Sequence, residues 1–425
     1  FLFILIIPIM LNAQKHTISG TMKDAATGED LIGGSVMVKG QNIGASTNEY
    51  GFYSLTIAEG TYTLLYRSFG AITIEKEINL IKNFTINVEL KSSASDLDEV
   101  TVTTDREDDN VTSTEMSVVR LDPKSIEAIP VLFGEKDIMK TLQLTPGVKS
   151  AGEGNSGFYV RGGAADQNLI LLDEAPVYNA SHLLGFFSVF NSDAIKDVTL
   201  YKGGIPAEYG GRASSVMDVK MRDGNNKKFG ARGGIGLISS RLTLEAPIKK
   251  DKGSFMIAGR RSYADIFLPL SKEIPDGTSL YFYDLNTKAN YTFNDNNRVF
   301  LSGYFGRDKF KLGDTFGFNW GNATGTVRWN HLFNERLFSN TSFVASNYDY
   351  QFSIGAGEEQ FGIRSDIKDY NLKQSFDYFL NTKNTIKFGL NLIHHTFNPG
   401  ELFVGSETSF NGQKEASKYA LEGGV

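Results

Sequence analysis

Residues 281–293 set Tyr281, Tyr283, Leu285, Ala289, Tyr291 and Phe293 on one side of an extended chain, and Asp284, Asn286, Lys288, Asn290 and Thr292 on the other. The same split returns in Tyr370, Leu372, Phe376 and Tyr378 against Asn371, Lys373, Ser375 and Asp377. It recurs in Ile386, Phe388, Leu390 and Leu392 against Lys387 and Asn391, and in Val327, Trp329 and Phe333 against Thr326, Arg328 and Asn330. A two-residue period belongs to strands, so this half of the chain needs an apolar phase on one face of a sheet and water on the other. A soluble sandwich meets that condition as well as a membrane barrel does. The connections separate the two. Compact polar turns at Asn294-Asp295-Asn296-Asn297, Asn334-Glu335 and Asn381-Thr382-Lys383-Asn384 alternate with longer loops expected around 262–279, 308–319, 350–367 and 398–413. Tight turns at one end and long loops at the other, joined by strands of roughly ten or more residues, are how outer-membrane barrels are strung. Residues 228–425 are therefore expected to be an antiparallel transmembrane β-barrel wall.

Composition narrows the class. The net charge of -6 in 425 residues argues against a nucleic-acid partner, which requires a basic face. There is no cysteine, hence no disulfide framework and no thiolate site, and the five histidines show no metal-ligand spacing. His394 and His395 are neighbours and point to opposite faces of a strand. No apolar run reaches the ~18 residues of a helical membrane span. Residues 1–11 are apolar but too short to cross, and with Asn12-Ala13-Gln14 behind them they read as a secretory signal, residues 1–13, cut after Ala13. Without an initiator Met or a basic start, that signal is expected to begin further upstream. No catalytic constellation is present: there is no Gly-x-Ser-x-Gly elbow, no His-Glu-x-x-His pair and no phosphate-cradling glycine grammar. Neither enzymatic activity nor a cofactor is expected.

Residues 15–91 divide into short strands parted by glycine turns, a seven-strand-like β-sandwich. The run from Gly44 and Ala45 through Tyr50, Gly51, Phe52 and Tyr53, followed by Gly60-Thr61-Tyr62, resembles the carboxypeptidase-regulatory-like family. That resemblance implies a fold and no peptidase chemistry. Residues 92–113 are polar and linker-like, except for a β-prone patch, Glu99, Val100, Thr101, Val102 and Thr103, suited to adding a strand to a partner's sheet edge.

Residues 114–222 read as a small α+β domain. Ile138, Met139 and Leu142 lie at helical spacing within 135–144, ended by Pro146-Gly147, and short apolar strands follow among glycines and charges. Arg161-Gly162, Leu172-Asp173-Glu174-Ala175-Pro176-Val177, Lys202-Gly203, Tyr209-Gly210 and Val216-Met217-Asp218-Val219 resemble, in this order, the plug of TonB-dependent outer-membrane receptors. Glu174 stands where that pattern carries glycine. The resemblance implies that residues 99–103 are a TonB box and that the partners are TonB with its inner-membrane complex, outer-membrane lipid and an extracellular solute. That solute could be a glycan, siderophore, cobalamin or peptide, with a surface lipoprotein as a further candidate partner. Arg161, Asp173, Glu208 and Arg212 are expected to form the charge network that holds the plug yet lets it yield.

A globule of ~110 residues has an outer radius of about 17 Å, whereas about ten tilted strands close at only about 10 Å and about twenty-two at about 22 Å. With about ten strands expected after residue 228, the natural chain should continue for roughly two hundred or more residues past Val425. The expectation is thus a mainly β chain, sandwich then plug then the first part of a barrel, that imports a solute across the outer membrane using TonB. The alternative is a cell-surface adhesin of β modules, which has no use for the plug.

Overall fold

The computed structural model describes residues 14–93, 117–121, 137–152, 157–405 and 417–424. The signal segment and the patch at Glu99–Thr103 lie outside the described residues. The chain divides into two compact units, the first built on the N-terminal strands and the second holding the plug and most of the long sheet.

The first unit's N-terminal part is a pair of four-stranded sheets. One joins Phe52–Ala58, Lys15–Asp24, Phe84–Thr85 and Val88–Leu90, and the other joins Gly44–Ser46, Ser35–Val38, Gly60–Arg67 and Ile74–Leu80. Ile18, Met22, Val36, Leu55, Leu64 and Leu80 form the dry interior between them. Tyr53 is buried with them, and its hydroxyl donates to the Ile86 carbonyl at 2.7 Å, giving the polar tip a partner. A Cβ at position 20 would collide with that same carbonyl, which is why a glycine stands there.

In the second unit a five-stranded sheet runs in the order Ala175–Pro176, Asn168–Leu172, Ser215–Met221, Ile195–Tyr201, Val118–Leu121. Asn168–Leu172 pairs parallel with Ser215–Met221, and the other pairings are antiparallel. The central strand Ser215–Met221 is buried almost throughout, as its apolar run requires. The helix is Ile138–Gln143, and Asp137 caps it by accepting the Met139 and Lys140 backbone N–H groups at 2.8 and 3.1 Å. Ile138, Met139 and Leu142 pack with Phe158, Val198, Leu200 and Met217 in one core.

The long sheet has ten strands in sequence order, from Gly230–Ile235 to Lys418–Gly424, and is open rather than closed. Strands Ser279–Asn294, Asn297–Leu312, Phe316–Asn334, Leu337–Ile354, Phe361–Asn381 and Asn384–Val404 run 16 to 21 residues. Their tight ends are the expected asparagine turns: Asn334 Oδ1 accepts from the Arg336 and Leu337 N–H groups, and Asn381 Oδ1 accepts from the Lys383 N–H.

The faces of this sheet decide between sandwich and barrel. Leu285, Leu301, Trp329, Phe343, Leu372 and Phe388 are exposed, Leu301 at 57%, while the alternate positions Asp284, Asn286, Lys288, Ser302, Arg328 and Asn340 are buried, Ser302 at 6%. Apolar side chains turned outward and polar ones turned inward invert the order of a soluble sandwich and match a wall with lipid outside. Among the described residues no helix is long and apolar enough to cross a membrane.

Two expected loops are corrected in full, and the one expected at 398–413 begins late, since strand Asn384–Val404 runs through its first residues. Residues 308–319 are mostly strand: the pairing of Asp308 with Trp320 continues through Lys311 with Gly317, leaving only 313–315 as the connection. The loop expected at 350–367 shrinks to 355–360. The reason is a reversal of polarity along the strands. Past Phe305 the outer positions become Arg307, Lys309 and Lys311, the last two of which read as loop in a sequence, while the inner positions become Phe310, Phe316, Phe318, Trp320, Tyr350 and Phe352. Charge outside and rings inside matches the end of a barrel strand that stands clear of the apolar band.

Candidate functional site

The site grows from a turn. Leu172 pairs with Ala175, so Asp173 and Glu174 form a two-residue hairpin turn, with φ of 46° and 74°. That geometry favours glycine, asparagine or aspartate at both positions. A glutamate there costs on the order of 1 kcal/mol of backbone strain. The long sheet compensates. Glu174 Oε1 lies 2.9 Å from Arg328 Nε and accepts from Asn340 Nδ2 at 3.2 Å. Burial alone would raise the Glu174 carboxyl, but Arg328, with Lys373 and Lys220 behind it, more than offsets this and holds it well below the usual carboxylate range.

Asp173 is fixed on three sides. Its Oδ1 accepts the Met221 N–H at 3.0 Å, its Oδ2 lies 3.1 Å from Lys288 Nζ, and its carbonyl accepts from Thr326 Oγ1 at 3.0 Å. Lys288 also reaches Asp223 Oδ1 at 3.0 Å and the Met221 carbonyl at 2.8 Å. Burial works against ionisation of Asp223, and Lys288, Lys196 and Arg298 overcome it, leaving its carboxyl below the ordinary range.

A second cluster centres on His182. Its Nδ1 is 2.6 Å from Asp308 Oδ2, its Nε2 is 3.2 Å from Asp284 Oδ2, and Phe282 stacks on its ring at 4.2 Å. Asp284 is shared with Arg260, whose Nη2 lies 2.6 Å away and also donates to the Ser188 carbonyl at 2.8 Å. Asp308 Oδ1 accepts the Leu183 N–H at 2.8 Å, at a residue held in the left-handed region, φ 47°. Burial pulls the histidine toward neutrality, but Asp308 and Asp284 outweigh it and raise its pKa. Protonated, His182 and Arg260 match the two aspartates charge for charge.

Between the clusters the segment 176–182 lies along the sheet like an added strap. Ser346 Oγ donates to the Pro176 carbonyl at 2.8 Å, Asn322 Nδ2 to the Asn179 carbonyl at 2.9 Å, and Trp320 Nε1 to the Ser181 carbonyl at 3.3 Å. Tyr178 donates its hydroxyl to Asp369 Oδ2 at 2.7 Å, and His395 Nδ1 lies 2.7 Å from Asp369 Oδ1. Burial, then Asp369, pushes the Tyr178 hydroxyl above its ordinary pKa. This arrangement can hold a globular plug in register against a polar wall. Its ion pairs are buried, so each is costlier to part than a wetted surface pair.

The four residues expected to form one charge network are not gathered. Asp173 meets Lys288, and Glu208 Oε2 lies 3.3 Å from Lys373 Nζ. Arg161, with φ 48°, donates instead to Ser117 Oγ at 2.7 Å, and Arg212 donates to the neighbouring Gly211 carbonyl at 2.8 Å. Sequence reasoning missed Glu174, His182, Arg260, Asp308 and Arg328 as members of the interface. Only the wet-face alternation at Asp284, Lys288 and Arg328 signalled any of it. Among the described residues no group of His, Asp and Glu side chains could hold a metal ion.

Residues 18–102 match the CarboxypepD_reg-like domain model, and residues 109–216 match the TonB-dependent Receptor Plug Domain. Over 102 residues, 24% of this chain and 10% of the relative, the sequence is 28% identical to TonB-dependent receptor P3 of Formosa agariphila. Among solved structures, a mutant of the ferric enterobactin receptor PfeA from Pseudomonas aeruginosa aligns with TM-score 0.52 at 14% identity, covering 68% of this chain and 50% of that one. The copper transporter OprC aligns with TM-score 0.53 at 11% identity, covering 73% and 50%. These likenesses show a shared fold, and the chain spans about half the length of the solved structures it matches.

Proposed function

We propose that this chain, a TonB-dependent outer-membrane receptor by its plug and the sheet that follows it, imports an extracellular solute into the periplasm with work delivered by TonB. One observation carries the reading: the long sheet turns its apolar side chains out and meets the plug's buried carboxylates with inward Lys288 and Arg328, while inward Arg260 donates to the plug's Ser188 carbonyl. An adhesin gains nothing from a charged globule held against the inner face of a lipid-facing wall.

The outer membrane holds no ATP and no potential, so energy must arrive mechanically through a handle. Residues 99–103 supply a β-prone patch on a polar leash, and strand addition by TonB is the physical means of gripping it. The plug then yields where its ion pairs part in sequence rather than across a greasy seam. Val100→Pro with Val102→Pro removes two backbone donors from the patch and should abolish energised uptake while solute binding stays intact. Unchanged uptake would contradict the TonB-box assignment.

A further inference from the structure

Resting on the import reading, we infer that the two tight turns at 332–339 and 376–387 are a seat for the receptor's own N-terminal sandwich. A pull on the handle at 99–103 falls on this seat, which must part before the plug can be drawn.

Both turns belong to the first compact unit, together with the sandwich. The Phe379 N–H donates to the Arg336 carbonyl at 2.9 Å, which makes one platform of them. On the sandwich, alternation along Phe52–Ala58 sends Tyr53, Leu55 and Ile57 into the dry interior and Phe52, Ser54 and Thr56 to the opposite face. The outer face of a sandwich ordinarily meets water, yet Phe52 is 2% exposed, and Ser54, Thr56 and neighbouring Thr17 are buried. The platform accounts for Phe52 and Thr17. Phe338 stacks on Phe52 with ring centroids 5.8 Å apart, Phe379 meets Phe52 edge-on at 5.7 Å, and Phe338 also stacks on Tyr50 at 5.2 Å. Arg336 Nε donates to Thr17 Oγ1 at 2.8 Å. Asn48 joins the two sides. Its Oδ1 accepts the Tyr50 and Phe52 N–H groups, both at 3.0 Å, shaping the turn that presents those rings, and its Nδ2 donates to Asp377 Oδ2 at 3.1 Å.

Such a contact is specific but small. The rings of Tyr50, Phe52, Phe338 and Phe379, with the hydrogen bonds of Asn48 and Arg336, resemble an interface between domains that part and rejoin. The plug is held by buried ion pairs, which are costlier to separate. Chain length decides where a pull falls. Ser93 is fixed to the sandwich, its N–H donating to the Gly70 carbonyl at 2.9 Å. From Ser93 to Glu99 the chain reaches at most about 20 Å, and from Thr103 to Ser117 about 50 Å. A handle drawn farther than about 20 Å from Ser93 therefore pulls on the sandwich, and through it on the seat. Once undocked, the sandwich no longer holds the handle, and the pull passes to the plug. The tight turns of such a barrel lie at its periplasmic end, the side from which an inner-membrane partner pulls.

The test pulls on the handle directly and so does not depend on TonB. The whole receptor, with any other cysteine replaced, is held in a supported bilayer, and a DNA tether on Thr101→Cys is drawn at constant force in optical tweezers. Two separate yields are expected, the seat first and the plug second. Phe379→Ala and Asp377→Ala lie on the platform and leave the interior of the sandwich untouched. Each should raise the rate of the first yield roughly tenfold, about the worth of one aromatic contact or one hydrogen bond to a charged group, and leave the second rate unchanged. A single yield, a first yield whose rate neither substitution alters, or one that moves only together with the second would overturn the inference. Uptake that survives Val100→Pro with Val102→Pro would count against the import reading alone.

Discussion

His182 Nδ1 lies 2.6 Å from Asp308 Oδ2, joining a plug loop to the long sheet in a buried pocket. The second aspartate, Asp284, is shared with Arg260, so the pocket is neutral only while the imidazole carries its proton. Tyr304 and Phe282 close the remaining sides.

A pH dependence follows, with a definite sign. The folded-state pKa of His182 is raised by its aspartates above the ordinary value near 6.5. Its contribution is fully present below that value and is lost as pH rises through the folded-state pKa. Thermal unfolding of the whole receptor followed from pH 6 to pH 9 should show the midpoint falling on the alkaline side. His182→Gln should flatten that fall, and an unchanged slope would rule out this histidine as its source.

Glu174 tests whether strain is tolerated for the sake of a latch. Glu174→Gly relieves the left-handed backbone but leaves Arg328 buried without its carboxylate. The second effect is the larger, on the order of 3 kcal/mol against about 1 kcal/mol. The variant should therefore unfold at lower denaturant, and adding Arg328→Met should recover most of the loss. Because the Glu174 carboxyl is held below its ordinary range, the latch is present above about pH 4.5 and fails as pH drops through the lowered value.

Lys288 links two plug carboxylates, Asp173 and Asp223, at 3.1 and 3.0 Å. Lys288→Met should destabilise the plug by about 3 to 5 kcal/mol, because both acids stay buried with less compensation. Protease accessibility of the plug in the intact receptor reads this directly. Restoration by Asp173→Asn in the same chain would identify the pair as the cause.

The strands and their faces were legible because a two-residue period survives any tertiary context. Tyr283 and Leu285 against Asp284 and Asn286 already stated which residues share a side. Which side faced the plug was not legible. Lys288 and Asp173 are 115 residues apart and His182 and Asp308 are 126 apart, and no local pattern connects such positions. Lys309 and Lys311 read as loop because charge on alternate positions signals solvent without saying whether the backbone remains paired. Glu174 looked like a flaw in a glycine turn, and its reason appears only once Arg328 is seen beside it.

The long sheet is predicted to meet lipid with its apolar face. These 425 residues hold no cysteine, so with any cysteine elsewhere in the receptor replaced, single spin labels can be placed at Leu301→Cys, Phe343→Cys and Leu372→Cys in the whole receptor reconstituted in liposomes. Collision with dissolved oxygen should exceed collision with a water-soluble nickel chelate at all three positions. A greater accessibility to nickel there would contradict the membrane wall and the import function built on it.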